Sequence, residues 1–162
     1  MDVYQQELKE GRIQQAYRGL MEYLLSLKNH IKNKHPEFSV PGTFYAGYMD
    51  MSYFAIVPKD LKQRGLKIAL VYLHEAGRFE VWLAGVNKNA LREYWEIIQR
   101  EGWKQYRLAP TLTGADAILE YIAVGQPDFR DLNALTAEIE RETLVFIRDV
   151  SAFLKSVQPF PR

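Results

Sequence analysis

The stretch Leu66 to Gly85, LKIALVYLHEAGRFEVWLAG, leaves a chain of this size little choice of architecture. Ile68, Val71, Tyr72, Phe79, Val81, Trp82 and Leu83 are β-branched, aromatic or bulky, and they flank Gly77 on both sides. The pattern predicts a long β-hairpin turning at Ala76-Gly77, where Gly77 supplies the positive φ of a two-residue loop. That loop sets Glu75 opposite Arg78, His74 opposite Phe79, Tyr72 opposite Val81 and Leu70 opposite Leu83. Ala-Gly is a weaker turn signal than Asn-Gly, so a four-residue loop is the alternative. Directly opposed residues share a face. One face therefore carries Leu66, Ile68, Leu70, Tyr72, Phe79, Val81 and Leu83, and is strongly apolar. The other carries Lys67, Ala69, Val71, Leu73, Glu80, Trp82 and Ala84, and is mixed. A one-residue slip would exchange the two sets, so burial holds the register. Tyr72 and Val81 are expected to be buried together, with Glu80 more exposed.

The chain has 162 residues, the length of one domain, and residues 1–162 are read as a single α+β domain. With 48% hydrophobic and 25% charged residues it has the composition of a globular protein. A net charge of +1 supplies no global field to recruit nucleic acid or an anionic membrane. The absence of cysteine removes disulfides, thiolate catalysis and cysteine metal sites. The polar start, MDVYQQELKE, lacks the apolar core of a signal peptide, and the longest apolar run, Ile68 to Leu73, is too short to span a bilayer. The expected compartment is the cytoplasm.

Along the chain, residues 2–10 suit a short helix ending at Gly11. Ile13, Ala16, Tyr17, Leu20, Leu24, Leu27 and Ile31 form one stripe of a helix over about 12–32, which His35-Pro36 ends. Residues 43–49 and 52–57 read as a strand pair around Asp50-Met51, followed by a polar connection over 59–65 and then the hairpin. Four strands joined by short loops make an antiparallel meander. Asn87 suits an N-cap for a helix over 88–101, with Gly102 as its terminator. Residues 103–108 suit a short fifth strand. Thr113 suits the cap of a short helix near 115–124, and a last long helix runs over about 129–156. The expected fold is α+β: a four-stranded meander, with an optional fifth strand, packed against long N- and C-terminal helices.

Two segments, GYMDMSYF at 47–54 and LKIALVYLHEAGRFEVWLAGVNK at 66–88, together resemble a family of small bacterial proteins catalogued only as a domain of unknown function. The resemblance extends over most of the chain. It implies a small intracellular bacterial protein and carries no activity and no catalytic residues.

Alternate turns of a meander lie at one end of the sheet. Asp50, His74, Glu75, Arg78 and Glu80 are therefore expected to gather at one end, with Asp50, His74, Glu75 and Glu80 as candidates for acid–base work. The plainer reading is an exposed polar turn with a Glu75–Arg78 ion pair. At the opposite end, the 59–67 connection is expected to meet the start of the 88–101 helix. Lys62, Arg64, Asn87, Lys88 and Arg92 would there hold a phosphate or carboxylate beside free helical N–H groups. The plainer reading is a solvated loop beside a capped helix. His30 and His35 are read as surface residues, since a spacing of five across a helix end is no metal pattern. Asp116 with Glu120 and Glu138 with Glu142 are ordinary helical acid pairs. No Gly-x-Ser-x-Gly, dinucleotide or phosphate-loop pattern is present, and no cofactor or metal is expected.

Aromatic residues crowd 45–106, and the neutral balance of charge favours core packing over a nucleic-acid groove. The first expectation is a non-enzymatic ligand- or protein-binding module using the less apolar sheet face. The second is an enzyme acting on a small anionic substrate. The third is a self-associating domain, with Val71, Leu73, Trp82 and Ala84 as a homodimer or partner interface.

Overall fold

A computed structural model of the chain describes residues 1–111 and 117–157. Two helices come first, α1 (Asp2–Lys9) and α2 (Arg12–Lys34). Strand β1 (Met51–Ile56), a one-turn helix α3 (Lys59–Gln63), and the hairpin strands β2 (Leu66–Leu73) and β3 (Arg78–Gly85) follow. Helix α4 (Lys88–Glu101), strands β4 (Arg107–Leu108) and β5 (Leu119–Val124), and helix α5 (Leu132–Ser156) complete the order. The fold is α+β, with a five-stranded antiparallel sheet and long helices near both ends of the chain.

The sheet order is β1-β2-β3-β5-β4. The hairpin pairs Leu73 with Arg78, Tyr72 with Phe79, Leu70 with Val81 and Ile68 with Leu83. The turn is thus the four-residue form, His74 to Gly77, with Gly77 N–H donating to the Leu73 carbonyl at 2.8 Å and Gly77 at φ 62. The partners differ by two residues from those of a two-residue loop. Because strand side chains alternate with a period of two, both faces keep the expected membership.

The apolar face is the floor of the core. Leu66, Ile68, Leu70, Phe79, Val81 and Leu83 join the stripes of α2 (Tyr23, Leu24, Leu27, Ile31), α4 (Leu91, Tyr94, Ile97, Ile98) and α5 (Leu135, Ile139, Phe146, Val150). Helix α4 starts where Asn87 Oδ1 accepts the Ala90 N–H at 2.9 Å, and stops at Gly102 with φ 66. Asp131 caps α5 in the same way, accepting the Ala134 N–H at 3.0 Å.

Four expectations change. Residues 43–49 form no strand and contribute one bridge, Tyr45 to Tyr53. Residues 119–124 form β5 instead of a helix, and β5 pairs with β3 through Trp82–Glu120 and Val81–Tyr121. The short α3 replaces the loop at 59–63. Glu80 is 3% exposed, while Tyr72 is only half-buried. The Glu80 carboxylate is tied down by Arg78 Nη2 at 2.6 Å and by the Trp82 indole N–H at 2.6 Å, which offsets its loss of water. The expected helix cap Thr113 and the acid Asp116 lie outside the described residues. Among the described residues no helix is long and apolar enough to cross a membrane.

Candidate functional site

A large hollow opens on the apolar side of the sheet, where the core is left incomplete. Its volume is about 700 Å³. Helix α2 supplies Ile13, Ala16, Tyr17, Leu20 and Tyr23, the end of β2 supplies Tyr72 and His74, and the segment leading into α5 supplies Phe129 and Leu132. The 3.6-residue period of α2 explains its share: Ile13, Ala16, Tyr17, Leu20 and Tyr23 form a stripe that continues the buried one. Gly19 also lines the wall, and a Cβ built there would meet nothing within 4 Å.

Aromatic rings dominate. Tyr17 stacks on His74 at 6.0 Å between centroids, and Tyr72 meets His74 edge-on at 5.3 Å. Phe129 packs edge-on against Tyr23 at 5.8 Å and Tyr72 at 6.1 Å. Phe129, Leu132 and Met49 nevertheless remain exposed at the mouth. Met49 stands at φ 63, a left-handed conformation that is costly for a long side chain. The turn before it is equally constrained: at Gly47, φ 72, a Cβ would lie 2.0 Å from the Met51 carbonyl oxygen.

His74 is the polar centre. Its Nε2 lies 2.8 Å from Ser52 Oγ, and Ser52 Oγ donates to the Ala46 carbonyl at 2.5 Å. A hydroxyl has one proton to give. Ser52 gives it to Ala46, so the imidazole donates from Nε2 and keeps its lone pair on Nδ1. Burial pushes the His74 pKa below its ordinary value, against an opposing pull from the Asp50 charge. The ring is therefore a neutral acceptor near neutral pH. Burial raises the Tyr23 and Tyr72 hydroxyls, so both stay protonated. Tyr23 Oη is engaged with Thr136 Oγ1 at 3.1 Å.

The proximity of Ser52, His74 and Asp50 suggests a nucleophile relay, but the directions of the bonds are wrong for one. Ser52 is 0% exposed, and its proton points away from His74. The Asp50 carboxylate accepts the Tyr48 N–H at 2.9 Å, and it is the Asp50 backbone carbonyl that accepts the His74 N–H. The backbone N–H groups of Tyr48 and Met51 hold the Asp50 carboxyl below its ordinary range. Among the described residues no base is placed to activate the hydroxyl.

Of the four acid–base candidates, the structure brings only Asp50 and His74 together. Glu75 is exposed in the turn and Arg78 pairs with Glu80 instead, on the other face of the sheet. Ser52 was not singled out from the sequence. Its signal is the alternation Ser52, Phe54, Ile56, which places it on the buried face opposite Tyr72.

At the other end, the two basic segments meet: Val86 N–H donates to the Gly65 carbonyl at 2.9 Å. Asn87 and Lys88 line a second hollow together with Lys67, whereas Lys62, Arg64 and Arg92 do not line it. Of the four interface candidates, Val71 is 0% exposed and Ala84 is also buried, under the flanking side chains of the mixed face. Leu73 and Trp82 are half-buried. That geometry corrects the picture of all four as one exposed patch.

His30 and His35 are not free surface residues. Both reach the buried Glu140 carboxylate of α5, at 2.8 and 2.6 Å, and Lys34 joins them at 3.0 Å. Nitrogen and oxygen touch directly there, leaving no room for an ion between them. Among the described residues no group of three or more His, Asp or Glu is arranged to hold a metal.

No curated protein and no solved structure matches the chain. A family model described as a domain of unknown function, DUF7000, matches residues 1–154. With nearly the whole chain matched, the protein belongs to the DUF7000 family.

Proposed function

We propose that the protein is a non-enzymatic binding module, and that the groove between α2, His74 and Phe129 takes a small planar ligand carrying one hydrogen-bond donor. The observation behind this reading is the combination of an open aromatic hollow of about 700 Å³ with a single neutral imidazole in its wall. Concave, mostly apolar sites with few polar groups are the usual form of small-molecule pockets. The rings of Tyr17, Tyr72 and Phe129 supply stacking surface. His74 Nδ1 supplies orientation, because its partner nitrogen is already committed to Ser52.

Indole and indene provide a matched pair of probes, of equal shape but differing in the N–H donor. In an NMR titration, indole should shift His74, Tyr72 and the amides of 16–20. Indene should bind more weakly by roughly two- to tenfold, the worth of one net hydrogen bond. Gly19→Trp places an indole in the open groove and should abolish both responses while leaving the fold intact. Shifts confined to other surfaces, or equal affinity for the two probes, would count against the reading.

A further inference from the structure

The mixed face of the sheet carries a second, smaller hollow that the groove reading does not use. We infer that it is a separate binding site for a small planar carboxylate.

The hollow has a volume of about 390 Å³ and lies between the 45–53 segment and the start of α4. Its floor is low because Ala69 and Ala84, on the mixed face, present almost no side chain. Gly85 is required there: a Cβ would lie 2.5 Å from the Leu91 backbone nitrogen and 2.8 Å from the Asn87 carbonyl oxygen. The glycine thus lets α4 start close against the strand end and closes one side of the hollow. On the other side, the Tyr45 and Tyr53 rings lie 4.9 Å apart and tilted by 31°. Trp82 is the third aromatic wall, and its indole is fixed by the bond from Nε1 to Glu80. Flat walls over a low floor suit a flat ligand.

The charge of the hollow selects the sign. Lys67 and Lys88 line it, and no acidic side chain does. Neither lysine has a carboxylate within 4.0 Å among the described residues. Glu80, the nearest acid along the strand, already carries Arg78 and the Trp82 N–H. Lys67 is half-buried near the start of β2, opposite Ala84, and its ammonium remains available to an incoming anion. A ligand carboxylate would supply the missing charge-assisted bond while the ring of the ligand packs on Tyr53 and Trp82.

Benzoate and benzamide test this, being similar in shape and different in charge. Titration followed by NMR should show benzoate shifting the Trp82 indole N–H and the amides of Ala84 and Gly85. Benzamide should bind about tenfold more weakly, as expected for loss of a charged hydrogen-bond partner. Binding should weaken with added salt. Lys67→Met keeps the aliphatic stem and should remove the preference for benzoate. Lys88→Glu guards against a folding artefact, because a glutamate in the first turn of α4 suits the helix dipole. It too should reduce benzoate affinity severalfold and leave benzamide unchanged. Equal affinities for the two probes, benzoate binding indifferent to both substitutions, or shifts at Tyr72 and His74 in place of Trp82 would overturn the inference.

Discussion

His74 concentrates the chemistry of the groove in one ring, and its titration is open to direct measurement. Burial depresses its pKa, so the folded protein holds fewer protons than the unfolded chain just below pH 6.5. The stability linked to this group is therefore complete above about pH 6.5, and is lost as pH falls through the folded value. An NMR titration of the His74 ring should give a midpoint below the ordinary histidine value. Asp50→Asn should lower it further, because the carboxylate is the one charge that opposes the shift. A midpoint at or above the ordinary value would contradict the assigned tautomer and burial. Indole binding should follow the same midpoint, since a protonated Nδ1 becomes a donor and repels the ligand N–H.

Glu140 is the second residue with a definite pH signature. Burial alone would raise its pKa, but hydrogen bonds from His30, His35 and Lys34 pull it down to about 2. Its contribution to stability is present above the ordinary carboxylate range and is lost as pH falls toward 2. Glu140→Ala removes the acceptor shared by His30 and Lys34 of α2 and by His35 just beyond its end. It should cost about 1–3 kcal/mol in denaturant unfolding at neutral pH, the penalty for leaving such groups unsatisfied. The variant should also lose less stability on acidification than the wild type. An unchanged denaturation midpoint would show that α2 and α5 are held by apolar packing alone.

Two glycines separate the demands of a helix from those of a close contact. Gly19 lies in an exposed stretch of α2 with open space at its Cβ position. Gly19→Ala should stabilise the protein by about 1 kcal/mol through helix propensity. Gly85→Ala should destabilise it by about 1–3 kcal/mol, since the added methyl forces α4 off the strand end. Thermal unfolding of the two variants should move in opposite directions. At the same scale, the hairpin was legible in the sequence. Its two faces survive a change of turn length because a shift of two residues preserves alternation. The turn length itself was not, as Ala-Gly fits more than one loop. Helix α4 was readable to both ends because Asn87 and Gly102 carry cap chemistry that acts locally. Strand β5 was not, since the run LEYIAV is too short for its periodicity to separate strand from helix. It becomes a strand because β3 offers it an edge, which is a tertiary cause.

Across the whole molecule, the sheet has one face covered by α2, α4 and α5 except at the groove, and another only partly covered. The candidate sites lie on these two faces in turn: the aromatic groove where the helical cover is incomplete, the basic hollow where Ala69 and Ala84 lower the open face. Neither hollow was legible in full. His74 stood out as a polar residue beside the hairpin turn, and Lys88 as the first residue of a capped helix. The walls around them come from segments far apart in the chain. Tyr17 meets His74 across 57 positions, and no local pattern records that approach.

A crystal of the wild-type protein soaked with indole tests the groove most directly. The expected result is a ring lying among Tyr17, Tyr72 and Phe129 with its N–H within about 3.2 Å of His74 Nδ1. Indole bound elsewhere on the molecule, or seated in the groove with its N–H turned away from His74, would contradict the account.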